Sequence, residues 1–210
     1  MKNAMLISVI VLLSYLPAGA ITGLGLGVHL GTTTSYDYSP LDDYIEAISD
    51  SLESLVPGYQ APESPQFNDK LTIIGIHGKI GTLPIIDFIG FLDYGWKKKS
   101  LSSDVDFRVS DFSFGLTALK KFGYSALKPY LGLGIAWHKL AYTIEAGQSL
   151  VLPPAPEDET KTGYHIVVGV ELSFPVFPLA PYAEGRYNII STTDKSTKFL
   201  LLSAGLTMNF

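Results

Sequence analysis

The chain has 210 residues, 47% of them hydrophobic and 17% charged, with a formal net charge of −5 and no cysteine. That length fits one domain or two small ones, and the balance is richer in apolar residues and poorer in charge than a typical soluble protein. The acidic excess argues against nucleic-acid binding, and the missing thiols exclude disulfide staples, thiol catalysis and cysteine-ligated metal.

The opening stretch, MKNAMLISVIVLLSYLPAGA, sets one cation at Lys2 before an apolar run from about Ala4 to Leu16, followed by Pro17 and the small Ala18, Gly19 and Ala20. This is the layout of a secretory leader cleaved near Ala20. The alternative, a membrane anchor, needs ~20 apolar residues, and this run is shorter. Residues 1–20 therefore read as a signal peptide and 21–210 as the mature domain. No later run is long and apolar enough for a spanning helix, so membrane residence would have to come from strands or surface contact.

From Ile21 onward the sequence falls into eight segments that alternate with period two, separated by turn-forming clusters. In the first, Leu24, Leu26, Val28 and Leu30 oppose Gly23, Gly25, Gly27, His29 and Gly31. The second, LTIIGIHGKIG, is noisy because Ile73 joins His77 and Lys79 opposite Ile74, Ile76 and Ile80. The third sorts Ile86, Phe88, Leu92, Tyr94 and Trp96 from Asp87, Phe91, Asp93 and Gly95. Four more repeat the scheme, and the last, Leu200 to Phe210, puts Leu202, Leu206, Met208 and Phe210 on one side and Ser203, Gly205, Thr207 and Asn209 on the other.

The connections alternate in length. Those at about 36–68 and 143–161 are long, whereas GTLP, KKFGYS and FPVFP are compact. An antiparallel meander places all its odd-numbered connections at one end, so long loops mark one end and tight turns the other. The first loop carries a helical pattern over about 40–56: Ser39 caps, Pro40 takes the first helical position, and Leu41, Tyr44, Ile45, Ile48, Leu52 and Leu55 repeat at helical spacing before Pro57 and Gly58. Asp42, Asp43, Glu46, Asp50 and Glu53 make its other face acidic, unlike membrane-seeking basic helices. It reads either as a lid packed on the barrel mouth or as a partner-binding helix. Each segment reaches the ~9–11 residues that cross a bilayer when tilted, and no helical layer remains to cover the oily faces. The expected fold is an all-β, eight-stranded antiparallel up-and-down transmembrane β-barrel with a short helix in its first long loop.

Leader, alternating strands, short turns opposite long loops, KPYLGLGIAWHK at Lys128 and the terminal LTMNF together resemble the small outer-membrane β-barrels of Gram-negative-type bacteria, the OmpA/OmpX-like and opacity-protein-like group. The resemblance covers the whole mature chain. It implies an outer-membrane location, outer-membrane lipid around the barrel, and recognition of the final strand, ending in Phe210, by the barrel-assembly machinery. The chain lacks the appended peptidoglycan-binding domain of the larger members. Lipid A deacylases and palmitoyltransferases share the architecture, but here no histidine takes the lipid-facing parity and no His-x-Ser occurs. A soluble lipocalin-like binder would explain the strands but not the outward aliphatic parity.

Candidate site residues follow from the inner parity. All four histidines fall there, and His138 and His165, near the loop end of neighbouring strands, are the pair placed to share a ligand, though two imidazoles are too few for a closed zinc site. No catalytic residue, metal or cofactor is expected. Lys79 and Asp87 lie symmetrically about GTLP, Glu171 and Glu184 about FPVFP, with Arg186 two residues from Glu184. An ionic plug fits a barrel whose interior is only wide enough for side chains; a proton-working carboxylate pair or a selectivity constriction is the alternative. The expected role is non-enzymatic, structural or surface-interacting through the loops, with a narrow pore as alternative. The sequence does not name an extracellular partner.

Overall fold

The computed structural model describes residues 23–34, 36–37, 44, 46, 48–50, 53, 68–81, 86–102, 105–122, 126–146, 158–173, 177–191 and 196–210. The expected leader 1–20 and its cleavage near Ala20 lie outside the described residues, as do parts of the expected 40–56 helix. The strands are β1 (Leu24–Thr33), β2 (Tyr36–Asp37), β3 (Asn68–Asp69), β4 (Thr72–Gly81), β5 (Asp87–Ser102), β6 (Val105–Lys121), β7 (Leu127–Ala146), β8 (Glu159–Leu172), β9 (Leu179–Ser191) and β10 (Ser196–Asn209). Eight of them close into one barrel in the order β1-β10-β9-β8-β7-β6-β5-β4, while β2 and β3 pair separately in the first loop.

Every barrel neighbour is antiparallel, and the closing seam pairs β1 with β10 from Gly25↔Asn209 to Thr33↔Leu201. Strands of a closed barrel tilt ~35–45° from its axis, and the register shows which way. One outward-facing row runs Leu26, Gly78, Gly90, Leu116, Ile135, Tyr164, Ile189, Lys198. It starts near the turn end of β1 and finishes at the loop end of β10, so the row climbs steadily around the wall.

Period-two alternation decides which face each residue takes. Leu131, Leu133, Ile135 and Trp137 are exposed while Tyr130, Gly132, Ala136 and His138 are buried. Glycines on the inner face leave room for rings from the neighbouring strand. A Cβ at Gly27, Gly115, Gly134 or Gly169 would collide with His77, Phe91, His165 or Tyr130 respectively. The outer wall carries aromatic stacks at the loop side, Tyr94 on Trp96 with centroids 5.6 Å apart and Phe114 on Trp137 at 5.1 Å. Phe122, Phe177 and Phe210 are exposed at the turn end. An apolar band between two aromatic girdles is the lipid-facing signature of a membrane barrel, and no helix among the described residues is long and apolar enough to cross instead.

Strands β5, β6 and β7 have 16, 17 and 20 residues, more than a crossing needs, so they stand above the loop-side girdle. There the inner face turns oily: Leu71, Ile73, Phe107, Val109, Leu140, Tyr142, Ile190, Phe199 and Leu201 form one buried cluster. This is why Ile73 breaks the pattern of the second segment. It faces the lumen in that segment, but at a level where the lumen is apolar.

Candidate functional site

Two ionic groups fill the lower and middle lumen. At the turn end, Lys121, the last residue of β6, places its Nζ 3.0 Å from Asp87 and 2.8 Å from Glu171. Lys79 reaches Glu171 at 3.8 Å and donates to Asn209 Oδ1 across the β1–β10 seam. At mid-height Arg186 is only 5% exposed and forks between two carboxylates: Nη1 donates to Asp93 Oδ2 at 2.8 Å and Nη2 to Glu184 Oε1 at 3.0 Å. Its planar head also lies over the Phe91 ring, 4.1 Å from the centroid. A forked, always-charged group suits this position because it satisfies two acids at once. Tyr130 donates to the other Glu184 oxygen at 3.0 Å, and His29 Nε2 lies 2.9 Å from Asp93 Oδ1.

Above Arg186, His138 Nδ1 meets Asp111 at 3.0 Å, and the apolar cluster begins. Helical residues of the first loop cap that cluster. Ile48 is fully buried, and the Tyr44 ring meets Phe107 with centroids 6.4 Å apart, while Glu46, Asp50 and Glu53 stay exposed. Burial pushes the Tyr44 phenol above its ordinary pKa. Of the two sequence readings of this helix, the lid is the one these contacts describe. Among the described residues, two small cavities lie inside: one of about 20 Å³ among His77, Tyr130, Glu184 and Arg186, and one of about 10 Å³ among Asp93, Asp111, His138 and Arg186. Arg186 borders both. Each is about the size of a single water.

The expected residues are all in the lumen, but their pairings differ from expectation. Asp87 pairs with Gly81 and Lys79 with Ile89, so Lys79 and Asp87 do not face each other; Thr82 to Ile86 separate the pairing ends, and the connection is longer than GTLP. Glu171 pairs with Tyr182, and Glu184 with Gly169. Arg186 therefore does not stand between Glu171 and Glu184. It joins Glu184 to Asp93, while Glu171 is held by Lys121 and Lys79. His138 and His165 sit at Lys161 and Gly134 of the shared ladder. Four rows of ladder part them, about 13 Å, and His165 Nε2 instead meets Thr117 Oγ1 at 2.8 Å. The rings that do meet are His29 and His77, with centroids 5.9 Å apart.

Sequence reasoning left out of the plug Asp93, which it placed on the inner face, and Lys121, which it assigned to the KKFGYS turn. No group of three or more metal-ligating side chains converges among the described residues. All four histidines are buried on the inner face, so the outer wall presents no imidazole to lipid.

Above the loop-side girdle, the β5–β6 hairpin carries an exposed ion pair. Lys98 lies 2.8 Å from Asp106 and 3.7 Å from Glu145, and Ser100 Oγ donates to Asp106 at 2.6 Å. The Lys98 and Ser100 hydrogen bonds hold the Asp106 carboxyl below the usual aspartate range.

The fold is that of the small outer-membrane barrels. It is similar to that of a Neisserial surface protein, NspA, at 20% identity and a TM-score of 0.55, over 90% of this chain and 97% of that one. It is also similar to Ail, the attachment invasion locus protein of Yersinia pestis solved with the heparin analogue sucrose octasulfate, at 13% identity and a TM-score of 0.53, over 90% of this chain and 99% of that one. No protein-family model and no curated protein matches the chain.

Proposed function

We propose that this chain is an outer-membrane barrel without catalytic activity, closed to solutes, that acts in envelope structure or surface interaction through its loop end. The observation that carries the reading is the filling of the lumen by the described residues: ionic groups below, an apolar cluster above with Tyr44 of the first loop packed on it, and cavities of about 20 and 10 Å³ among them. An eight-stranded barrel is just wide enough to be filled by its own side chains. What remains available is the loop end, where strands stand clear of the lipid band and the surface presents both signs of charge, Lys98, Arg108 and Lys139 on the strands and Glu46, Asp50 and Glu53 on the lid.

The leader would deliver the chain to the outer membrane, where the final strand, ending in Phe210, would be read by the assembly machinery. Neisserial surface protein A and Ail, both named as surface or attachment proteins, support a surface role for the same fold. Conductance of the purified protein in planar bilayers tests the closed lumen. The expected record is a membrane without steady channels, and stable, large openings would replace this reading with a pore.

A further inference from the structure

Inner-face glycines such as Gly27, Gly115 and Gly134 are explained by the chain itself, because an added Cβ would strike a neighbouring ring. Outer-face glycines need a different explanation. At Gly185 a Cβ would rest in ordinary contact with Leu200 and Leu202 at 3.6 and 3.7 Å. Gly78 and Gly90 are set apart by standing side by side. They are register partners on β4 and β5, and an added Cβ would meet nothing closer than 3.7 Å at Gly78 and 4.0 Å at Gly90. Glycine weakens a strand interior and often marks a place where something approaches the backbone closely. Two of them side by side open a groove of about 740 Å³ in the outer wall, walled by Leu26, Val28, Ile76, Leu92, Leu206 and Met208 and reaching Phe210 at its foot.

We propose that this groove binds one acyl chain of a phospholipid in the leaflet on the turn side of the membrane. Its volume lies within the ~300–1,000 Å³ of small-molecule sites. Its lining is hydrocarbon apart from the Met208 thioether and His77, whose Nε2 is engaged by Thr207 inside the barrel, so it offers a methylene chain broad contact and a polar partner little. It is continuous with the lipid-facing band. Its direction also fits: the row Gly90, Gly78, Leu26, Met208 descends around the wall toward the turn end, so the groove falls from Leu92 to Phe210 as a chain running from mid-membrane to a headgroup would.

Protein reconstituted in phospholipid nanodiscs and released into mild detergent is examined by native mass spectrometry. The wild-type barrel is expected to keep one phospholipid, and Gly78→Leu combined with Gly90→Val to lower that retained fraction several-fold while still folding. Gly90→Ala adds one methyl whose nearest atom lies 4.0 Å away and keeps the test available if the double variant misfolds, with a smaller loss expected. Gly185→Ala, at an outer-face glycine away from the groove, is the control and should retain lipid as the wild type does. Wild-type protein without retained lipid overturns the proposal, as does equal retention in the groove-filling variants, and so does a wild-type dimer that those variants dissolve.

Discussion

Arg186→Ala removes the one cation that serves both Asp93 and Glu184. The carboxylates lie 2.8 and 3.0 Å from its guanidinium, and the arginine is 5% exposed, so bulk water does not replace what is lost. Breaking a buried pair by removing one partner costs ~3–5 kcal/mol, because the remaining charge stays buried and unpaired. The stacking over Phe91 at 4.1 Å adds up to ~2 kcal/mol where the cation is desolvated. Against a typical stability of ~5–15 kcal/mol that is a large shift. Urea unfolding of the refolded protein in micelles, followed by the fluorescence of Trp96 and Trp137, measures it. The pattern of rescue separates this geometry from the simpler pairing of Glu171 with Glu184. Asp93→Asn together with Glu184→Gln should recover much of the loss, whereas Glu171→Gln should recover none, since Lys121 and Lys79 hold that acid. An Arg186→Ala protein that unfolds like the wild type, or rescue by Glu171→Gln alone, would refute the reasoning.

Leu133→Arg puts a charge in the lipid band and should destabilise the barrel by roughly 2–4 kcal/mol near the midplane, read from the same titration in bilayers. Gly134→Ala sets a methyl against His165 and the Leu116 carbonyl, and overpacking of this kind costs ~1–3 kcal/mol, so its urea midpoint should fall with the slope unchanged. At the exposed hairpin, Asp106 has its pKa depressed by Lys98 and Ser100. The support it gives is therefore full above the ordinary aspartate value of ~3.9 and is lost as pH falls through the lower folded value. Below pH ~4, amide exchange should quicken at the tip of β5 and β6 while the ladder at Gly90↔Leu116 keeps its protection.

The faces of the barrel were legible in the sequence because side-chain period is a local property. Leu133 and Gly132, or Leu206 and Thr207, need only their neighbours to declare inside from outside. Ile73 was not legible, since alternation marks the inner face only where that face is polar, and the loop half of this lumen is apolar. Register was not legible either. Moving one strand of a hairpin by two residues keeps every residue on its face, so Lys79 could be set against Asp87 or Ile89 with equal pattern. The Arg186–Asp93 pair lies across the lumen between residues 93 apart in sequence, and only the curvature of the closed wall brings them together. Lys121 was read as turn because it follows Lys120 before Phe122 and Gly123, yet β6 runs through it and aims its ammonium inward.

The β1–β10 seam joins residues as distant as Gly25 and Asn209, while every other ladder joins consecutive strands or is bridged only by the first loop. Hairpins with short connections form early, and a pairing of such high sequence separation forms late. His77 to Thr207 at 2.9 Å and Lys79 to Asn209 both bridge that last ladder. Were that ladder the last to zip, the lumen ions would keep their hydration until closure and dehydrate together. Contacts made after the rate-limiting step act on the reverse reaction. The ionic plug is then a kinetic lock: its residues should govern how long a finished barrel persists more than how fast one is made.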